Sequence, residues 1–156
     1  NIHEVLERVR SLLLAETPHG IQIRRDFDVS LPEIQADAEQ LIQAVLNVAR
    51  NAVQAMNGRG ELVLRTRAAR QVTLNNKRHR LALRLDIIDN GPGIPEALRG
   101  QVFFPLVSGR EGGSGLGLPL AQTLVAQNQG AIEFESRPGR TVFSIYFPFE
   151  TASGKA

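Results

Sequence analysis

Leu41, Val45, Val48, Ala52 and Met56 recur at steps of three and four residues between Asp37 and Met56, the longest helical pattern in the chain. A helix with one apolar stripe must bury that stripe against another element. Asp37 is placed to cap its first turn and Asn57-Gly58 to end it. The surface that receives it is written in the flanking residues, which change period from helical to alternating.

Residues 2 to 15 carry a second helical pattern (Ile2, Val5, Leu6, Val9, Leu12, Leu13), closed by Pro18 and Gly20. Gly20 to Asp28 alternates Ile21, Ile23 and Phe27 with polar residues and reads as a strand. Glu61 to Thr66 and Leu81 to Asp89 read as two more, joined by a long basic connection. From Gly91 to Gly117 glycines and prolines dominate, which predicts a long functional loop around one helical turn. Leu116 to Gln127 reads as a helix, with Pro119 tolerated in its first turn. Ala131 to Ser136 and Thr141 to Phe147 form a closing hairpin over Arg137-Pro138-Gly139-Arg140. The expected fold is α/β: a mixed five-stranded sheet with three main helices on one face.

At 156 residues and 42% apolar content the chain suits one cored domain, expected over 1-150, with 151-156 a disordered tail. It has no Cys, which rules out disulfides, thiolate zinc and a thiol nucleophile. The expected compartment is cytoplasmic. No apolar run approaches the roughly 18–20 residues of a membrane span, and Asn1-Ile2-His3-Glu4 is no signal peptide, so no membrane contact is expected. Between Leu62 and Leu85 there is no acid, while Arg65, Arg67, Arg70, Lys77, Arg78, Arg80 and Arg84 accumulate. No aromatic residue interleaves these cations for base stacking, so they read as a solvated strand face and connection, not a nucleic-acid site.

Three short motifs carry the chemistry. Asn47 and Asn51 stand four apart on one helix face, beside Gln43 and Gln54 and away from the apolar stripe. Taken alone they could be exposed helix residues, but Asn is a mediocre helix former, and carboxamide oxygens suit a hard ion such as Mg2+. Asp89 ends an apolar strand and is followed by Asn90-Gly91-Pro92-Gly93-Ile94. A carboxylate there accepts from an exocyclic amine, and glycines let the backbone approach a planar ring; the plain alternative is an Asp-Asn-Gly turn. Gly113-Ser114-Gly115-Leu116-Gly117-Leu118 opens a helix whose free amides can face anionic oxygens, with Arg110 just upstream. Neither the dinucleotide fingerprint nor a Walker-type Gly-Lys-Ser/Thr is present.

In this order and spacing the three motifs resemble the N, G1 and G2 boxes of sensor histidine kinases, in the superfamily shared by gyrase, Hsp90, histidine kinases and MutL. The resemblance covers residues 1 to about 150 and implies a Bergerat-type two-layer α/β sandwich. Phe104-Pro105-Leu106-Val107-Ser108-Gly109-Arg110-Glu111-Gly112-Gly113 and the basic segment before Leu81 are similar, more narrowly, to nitrogen-regulation sensor kinases.

The resemblance implies ATP and Mg2+ as ligands. It implies Asn51 as the metal ligand, Asn47 at the phosphate end, Asp89 on the adenine amine, and Gly91, Gly93 and Ile94 beside the ring. Gly113, Ser114, Gly115, Leu116, Gly117 and Leu118 would surround the phosphates, with Arg110 near them and Thr141 behind the adenine. ATP-hydrolysing relatives carry a Glu where this chain has Asn47, and an amide cannot take a proton from water, so positioning of ATP for another nucleophile is implied. The last glycine box is shortened to Gly139-Arg140-Thr141-Val142-Phe143, and Phe103-Phe104-Pro105-Leu106 only loosely matches the usual lid.

The phosphoacceptor His is not recognisable in this sequence: His3-Glu4-Val5-Leu6-Glu7 lacks the following Asn-Pro and reads as the start of a helix, and His19 and His79 as surface residues. The implied partners are the kinase's own dimerisation and phosphoacceptor domain, an NtrC-like response regulator and a PII-type signal protein, with the isolated fragment a monomer. Two other functions use this fold: an ATPase switch, and an anti-sigma-factor type Ser kinase or binding module.

Overall fold

The computed structural model describes residues 1–17, 19–101 and 117–149. In chain order its elements are α1 (Ile2–Glu16), β1 (Ile21–Asp26), α2 (Ala38–Ala55), β2 (Gly60–Leu74), β3 (Lys77–Asp89), a 3-10 turn (Glu96–Gln101), α3 (Gly117–Gln127), β4 (Ala131–Arg137) and β5 (Arg140–Pro148). The sheet runs β1-β2-β3-β5-β4, with β1 parallel to β2 and the other pairs antiparallel. The mixed five-stranded sheet and three-helix layer expected above are therefore observed.

Alternation along the strands divides the sheet into two faces. Leu62, Leu64, Leu83, Leu85, Ile87, Phe143, Ile145 and Phe147 point one way and bury almost completely against Leu6, Val9 and Leu13 of α1, Val45, Val48 and Ala52 of α2, and Ala121 and Val125 of α3. Each fully buried aliphatic or aromatic side chain contributes roughly 1.5–3 kcal/mol relative to exposure, so this single seam dominates the stability. Gly130, just before β4, lies hard against the Tyr146 carbonyl and the Phe147 ring, and leaves no room for a Cβ.

Capping ties the helices to one another. Asp37 Oδ1 accepts from Gln40 N at 3.1 Å, as expected of an N-cap. The Asp37 N–H in turn donates to Asn128 Oδ1 at 2.8 Å, and the Asn128 amide donates to Gln40 and to the Leu124 carbonyl, so the end of α3 is sewn to the start of α2. At the other side Arg50 of α2 clasps Glu16 of α1 through two hydrogen bonds, which hold the Glu16 carboxyl below its usual range.

The β2–β3 pair departs from the sequence expectation. Instead of two short strands and a basic loop, the strands run on through the basic segment and meet at Asn75–Asn76, where φ values of 54° and 62° make a two-residue turn of type I′. β1 pairs β2 only as far as Arg65, and β5 pairs β3 only from Ala82, so the distal part of the hairpin is a two-stranded ribbon that outreaches its neighbours. His79, expected at the surface, is buried there at 7% exposure, paired across the ribbon with Val72.

The second face of the sheet is not covered by a helix among the described residues. At its centre Asp86 is only 1% exposed, held by Arg65 at 2.9 Å and by the Ser144 hydroxyl at 2.6 Å, its cross-strand neighbours on either side. Arg84 Nε lies 3.3 Å from the same carboxylate without hydrogen-bond geometry, so charge alone holds it. Beside them the Tyr146 hydroxyl donates to Glu133 at 2.8 Å, and burial next to that carboxylate pushes the phenol up to about 12. Replacing Asp86 by Ala strands two guanidiniums over an apolar floor; because the arginines keep partial solvent access, we expect a loss of about 2 kcal/mol in chemical denaturation. An unchanged midpoint refutes the assignment.

His3, in the first turn of α1, stacks on Phe27 at 4.7 Å, and its Nε2 lies 2.9 Å from the Thr66 hydroxyl, which also accepts from the Asp28 N–H. Burial lowers its pKa against the opposing pull of Asp28. A histidine whose folded pKa lies below its unfolded value stabilises the fold above about pH 6.5, and that stabilisation is lost as pH falls from there through the folded value. The denaturation midpoint of the wild type should therefore drop between pH 7.5 and about pH 5.5 by more than that of His3→Gln; parallel curves refute it.

Candidate functional site

α2 brings the three motifs together. Asn47 and Asn51 are both half-buried on its rim, one turn apart, while Val48 and Ala52 on the adjoining face are buried in the core. At the Asn47 end a Cβ on Gly117 would lie 3.9 Å from Asn47 Cβ and 4.0 Å from its carbonyl, so the residue that opens α3 rests on Asn47. Leu118, 9% exposed, follows it into the core. At the other end of α2 a Cβ on Gly91 would sit 3.1 Å from Met56 Cγ and 3.4 Å from the Ala55 carbonyl. One helix thus touches both glycine motifs, at points separated by eight residues or about 12 Å of helix axis.

The turn after β3 is built around Asp89, 3% exposed at the strand's end and paired in register with Leu62 on one side and Thr141 on the other. Its Oδ1 accepts from the Gly91 N–H at 2.9 Å, which orients the carboxylate. Asn90 turns outward, and its Oδ1 accepts from the Glu61 N–H at 3.1 Å, fastening the turn to β2. Gly93 has a φ of 93°, and a Cβ there would fall 2.9 Å from the Arg137 carbonyl, so both backbone angle and space require glycine.

A second set of bonds joins this turn to the β4–β5 hairpin. Gly139 N donates to the Gly91 carbonyl at 2.9 Å, and Ile94 N donates to Ser136 Oγ at 2.7 Å. Ser136 Oγ in turn lies 2.7 Å from Thr141 Oγ1, and Thr141 is 3% exposed. Arg99 Nε donates to the Ile94 carbonyl at 3.1 Å, holding the following 3-10 turn in place. Ser136 was not among the residues read from sequence. Its signal was its position: it pairs with Thr141 across the hairpin, so the two hydroxyls stand on one face.

Along α2 the described residues therefore place Asn47, Asn51, Gly117 and Leu118 toward one side, and Asp89, Gly91, Gly93, Ile94 and Thr141 around the turn that packs on its C-terminal end. Arg110, Gly113, Ser114, Gly115 and Leu116, with the lid segment Phe103-Phe104-Pro105-Leu106, lie outside the described residues, as does the tail 151–156. Among the described residues no group of three or more His, Asp or Glu could hold a metal ion. A cation at this site would take carboxamide oxygens, ligand oxygens and water, a mixture that suits Mg2+, which dehydrates reluctantly and needs few protein ligands. The half-buried pair Asn47 and Asn51 fits that role in donor chemistry.

Comparison with known proteins places the fold in a family. A family model described as histidine kinase-, DNA gyrase B-, and HSP90-like ATPase matches residues 36–151. The sensory histidine kinase/phosphatase NtrB of Escherichia coli O157:H7 is 52% identical over 149 residues, which is 95% of this chain and 43% of that protein. The chain thus spans less than half the length of this curated relative. Among solved structures, full-length ShkA in complex with AMPPNP superposes with a TM-score of 0.79 at 30% identity, covering 97% of this chain and 31% of ShkA. The mycobacterial sensor histidine kinase MprB superposes with a TM-score of 0.75 at 25% identity, covering 94% and 95%. With the family model spanning most of the sequence and the same α/β sandwich recurring in sensor-kinase structures, this chain belongs to the histidine kinase-, DNA gyrase B- and HSP90-like ATPase family.

Proposed function

We propose that this domain binds ATP with Mg2+ and presents the γ-phosphate to a histidine on a separate phosphoacceptor domain, as the catalytic part of a two-component sensor kinase in nitrogen regulation. The observation that carries this reading is α2 itself, which packs Asn47 against the glycine that opens α3, carries Asn51 one turn further along the same rim, and sets its other end against the turn that holds a buried carboxylate. A ligand that satisfies both ends carries a hydrogen-bond donor on a flat ring and anionic oxygens about 12 Å of helix away.

In this reading Asp89 accepts from the adenine amine, Gly91, Gly93 and Ile94 flank the ring, and Thr141 lies behind it. Asn51 ligates Mg2+ and Asn47 supports the phosphate end, with Gly113 to Leu118 and Arg110 around the phosphates. Bound Mg2+ supplies charge neutralisation on the phosphates. The residues of the chain align the nucleotide and fix the base. Asn47 cannot deprotonate water, which supports transfer to a protein nucleophile over hydrolysis. NtrB, the 52% identical relative, is named a kinase/phosphatase, and full-length ShkA was solved with an ATP analogue bound.

The same reading assigns partners: the kinase's own phosphoacceptor helices, an NtrC-like response regulator, and a PII-type signal protein. The basic ribbon supports the last of these. Arg70, Lys77, Arg78 and Arg80 are exposed along it and form no ion pair among the described residues, which leaves a cationic arm for an acidic surface. We assign the domain to the cytoplasm as a monomer; no helix among the described residues is long and apolar enough to cross a membrane.

Calorimetric titration with ATP and Mg2+ tests the site. Asp89→Asn and Asn51→Ala should each weaken binding about tenfold or more while unfolding midpoints stay close to wild type. Undiminished affinity in both variants would sink the nucleotide assignment. For the ribbon, Arg78→Glu combined with Arg80→Glu should leave ATP affinity unchanged and cut affinity for a PII-type protein about tenfold; equal affinity of the variant and wild type for that protein removes the ribbon from the docking surface.

A further inference from the structure

α2 and α3 run antiparallel and touch at two places. At one, Gly117 rests on Asn47. At the other, Asn128, 8% exposed just past the end of α3, reaches the first turn of α2. Gly117 and Asn128 are eleven positions apart, Asp37 and Asn47 ten, so the two contacts are rungs spaced about 15–17 Å along either helix. Between the rungs Ala121 and Val125 of α3 enter the same apolar core as Leu41, Ala44, Val45 and Val48 of α2. Apolar burial draws the helices together but is non-directional, so it sets their displacement along each other only loosely.

The Asn128 side chain supplies the direction. Its Oδ1 accepts from the Asp37 N–H at 2.8 Å, and its amide donates to Gln40 Oε1 at 2.9 Å and to the Leu124 carbonyl at 2.8 Å, which uses both of its hydrogens. A residue that only ended α3 would need the Leu124 bond alone; the other two belong to α2. The backbone beneath this side chain is held as well. The Asn128 N–H donates to the Val125 carbonyl at 3.1 Å, and Gly130, wedged against β5, donates to the same carbonyl at 2.9 Å. Displacing α3 along α2 by one residue, about 1.5 Å, breaks both bonds to α2 and carries Gly117 the same distance past Asn47.

We propose that Asn128 is a positioning residue for the phosphate end of the nucleotide site: it fixes the axial register of α3 on α2, and so sets where the start of α3 stands against Asn47. This rests on the nucleotide-binding reading above and extends it to a residue at the opposite end of α3 from the glycine motif. The base end is held independently, because the turn after Asp89 is bonded to β2 and to the β4–β5 hairpin through Asn90, Ile94 and Gly91, and none of these bonds involves α3. Losing the Asn128 rung therefore misplaces the phosphate end and leaves the base end where it is.

The test compares ATP with Mg2+ against adenosine, which carries the base without phosphates, in NMR titrations of wild type, Asn128→Ala, Gln40→Ala and Gln40→Glu, alongside unfolding midpoints. In Asn128→Ala the ratio of ATP to adenosine affinity should fall about tenfold, with adenosine affinity kept within about twofold. Gln40→Ala breaks one of the two bonds to α2 and should lower the ratio about threefold, a readout that survives even if the Asn128 variant folds poorly. Gln40→Glu keeps an oxygen acceptor for the Asn128 amide and should hold the wild-type ratio. Without ligand, the amide resonances of Gly117 and Leu118 should shift in Gln40→Ala and Asn128→Ala, and those of Gly91 and Gly93 should stay. Unmoved Gly117 and Leu118 resonances, equal weakening of ATP and adenosine, or a ratio lowered as much by Gln40→Glu as by Gln40→Ala make Asn128 a helix cap alone and overturn the proposal while nucleotide binding stands. A wild type that binds ATP but gives no response to millimolar adenosine overturns the independence of the two ends and the proposal with it. A wild type that binds neither ligand overturns the underlying reading as well.

Discussion

The structure depends on the seam between α2 and the inner face of the sheet. Val45, Val48 and Ala52 enter the same apolar layer as Leu62, Leu64, Leu85, Ile87 and Phe143, and this contact fixes the height and rotation of the helix. Once rotation is fixed, Asn47 and Asn51 are placed on the rim without a contact of their own being needed for it. The functional side chains therefore inherit their position from burial. Polar bonds then trim the arrangement: the Asn128 amide fixes the start of α2 and the Arg50–Glu16 clasp its flank, so the helix cannot slide along the sheet without breaking both.

Around that helix the site has two ends of different construction. The Asp89 end is cross-linked, because its turn is hydrogen-bonded to β2 through Asn90, to β4 through Ser136 and to the β4–β5 turn through Gly139. The Asn47 end leans on Gly117, where the second glycine motif begins its helix. On the proposed reading, a pre-organised turn that meets the base at one end and Asn47 and Asn51 at the other divide binding into an edge that selects and an edge that meets charge. Such a division lets one end be strict while the other accommodates a reacting group.

Much of this was legible in the residues, for reasons that can be named. α2 and its Asp37 cap were readable because stripe, cap and stop signal agree. The end of β3 was readable because Leu83, Leu85 and Ile87 alternate with Arg84 and Asp86. The ribbon was misread because arginine at every second or third position masks a strand period that rests on Val72, Leu74 and Leu81, and because Asn75-Asn76 lacks the glycine of the commoner hairpin turn. His79 was misjudged for the same reason: once the ribbon is a strand pair, a residue facing Val72 is half-enclosed by geometry. Of the site, the three motifs announced themselves by residue type and spacing. Ser136 did not, since its contribution follows from a register that only strand pairing reveals.

Among the described residues no helix covers the back of the sheet, and this bears on how the domain meets other molecules. Five strands with a bare side would ordinarily show water a carpet of aliphatic groups and invite self-adhesion. Here the middle of that side is a carboxylate roofed by guanidiniums and a tyrosine, bordered by Glu133 and Glu135. Such a surface is well hydrated and has nothing greasy to trade with a neighbour. As far as the described residues go, that flank offers other copies of the domain a charged, hydrogen-bonded surface in place of an adhesive one.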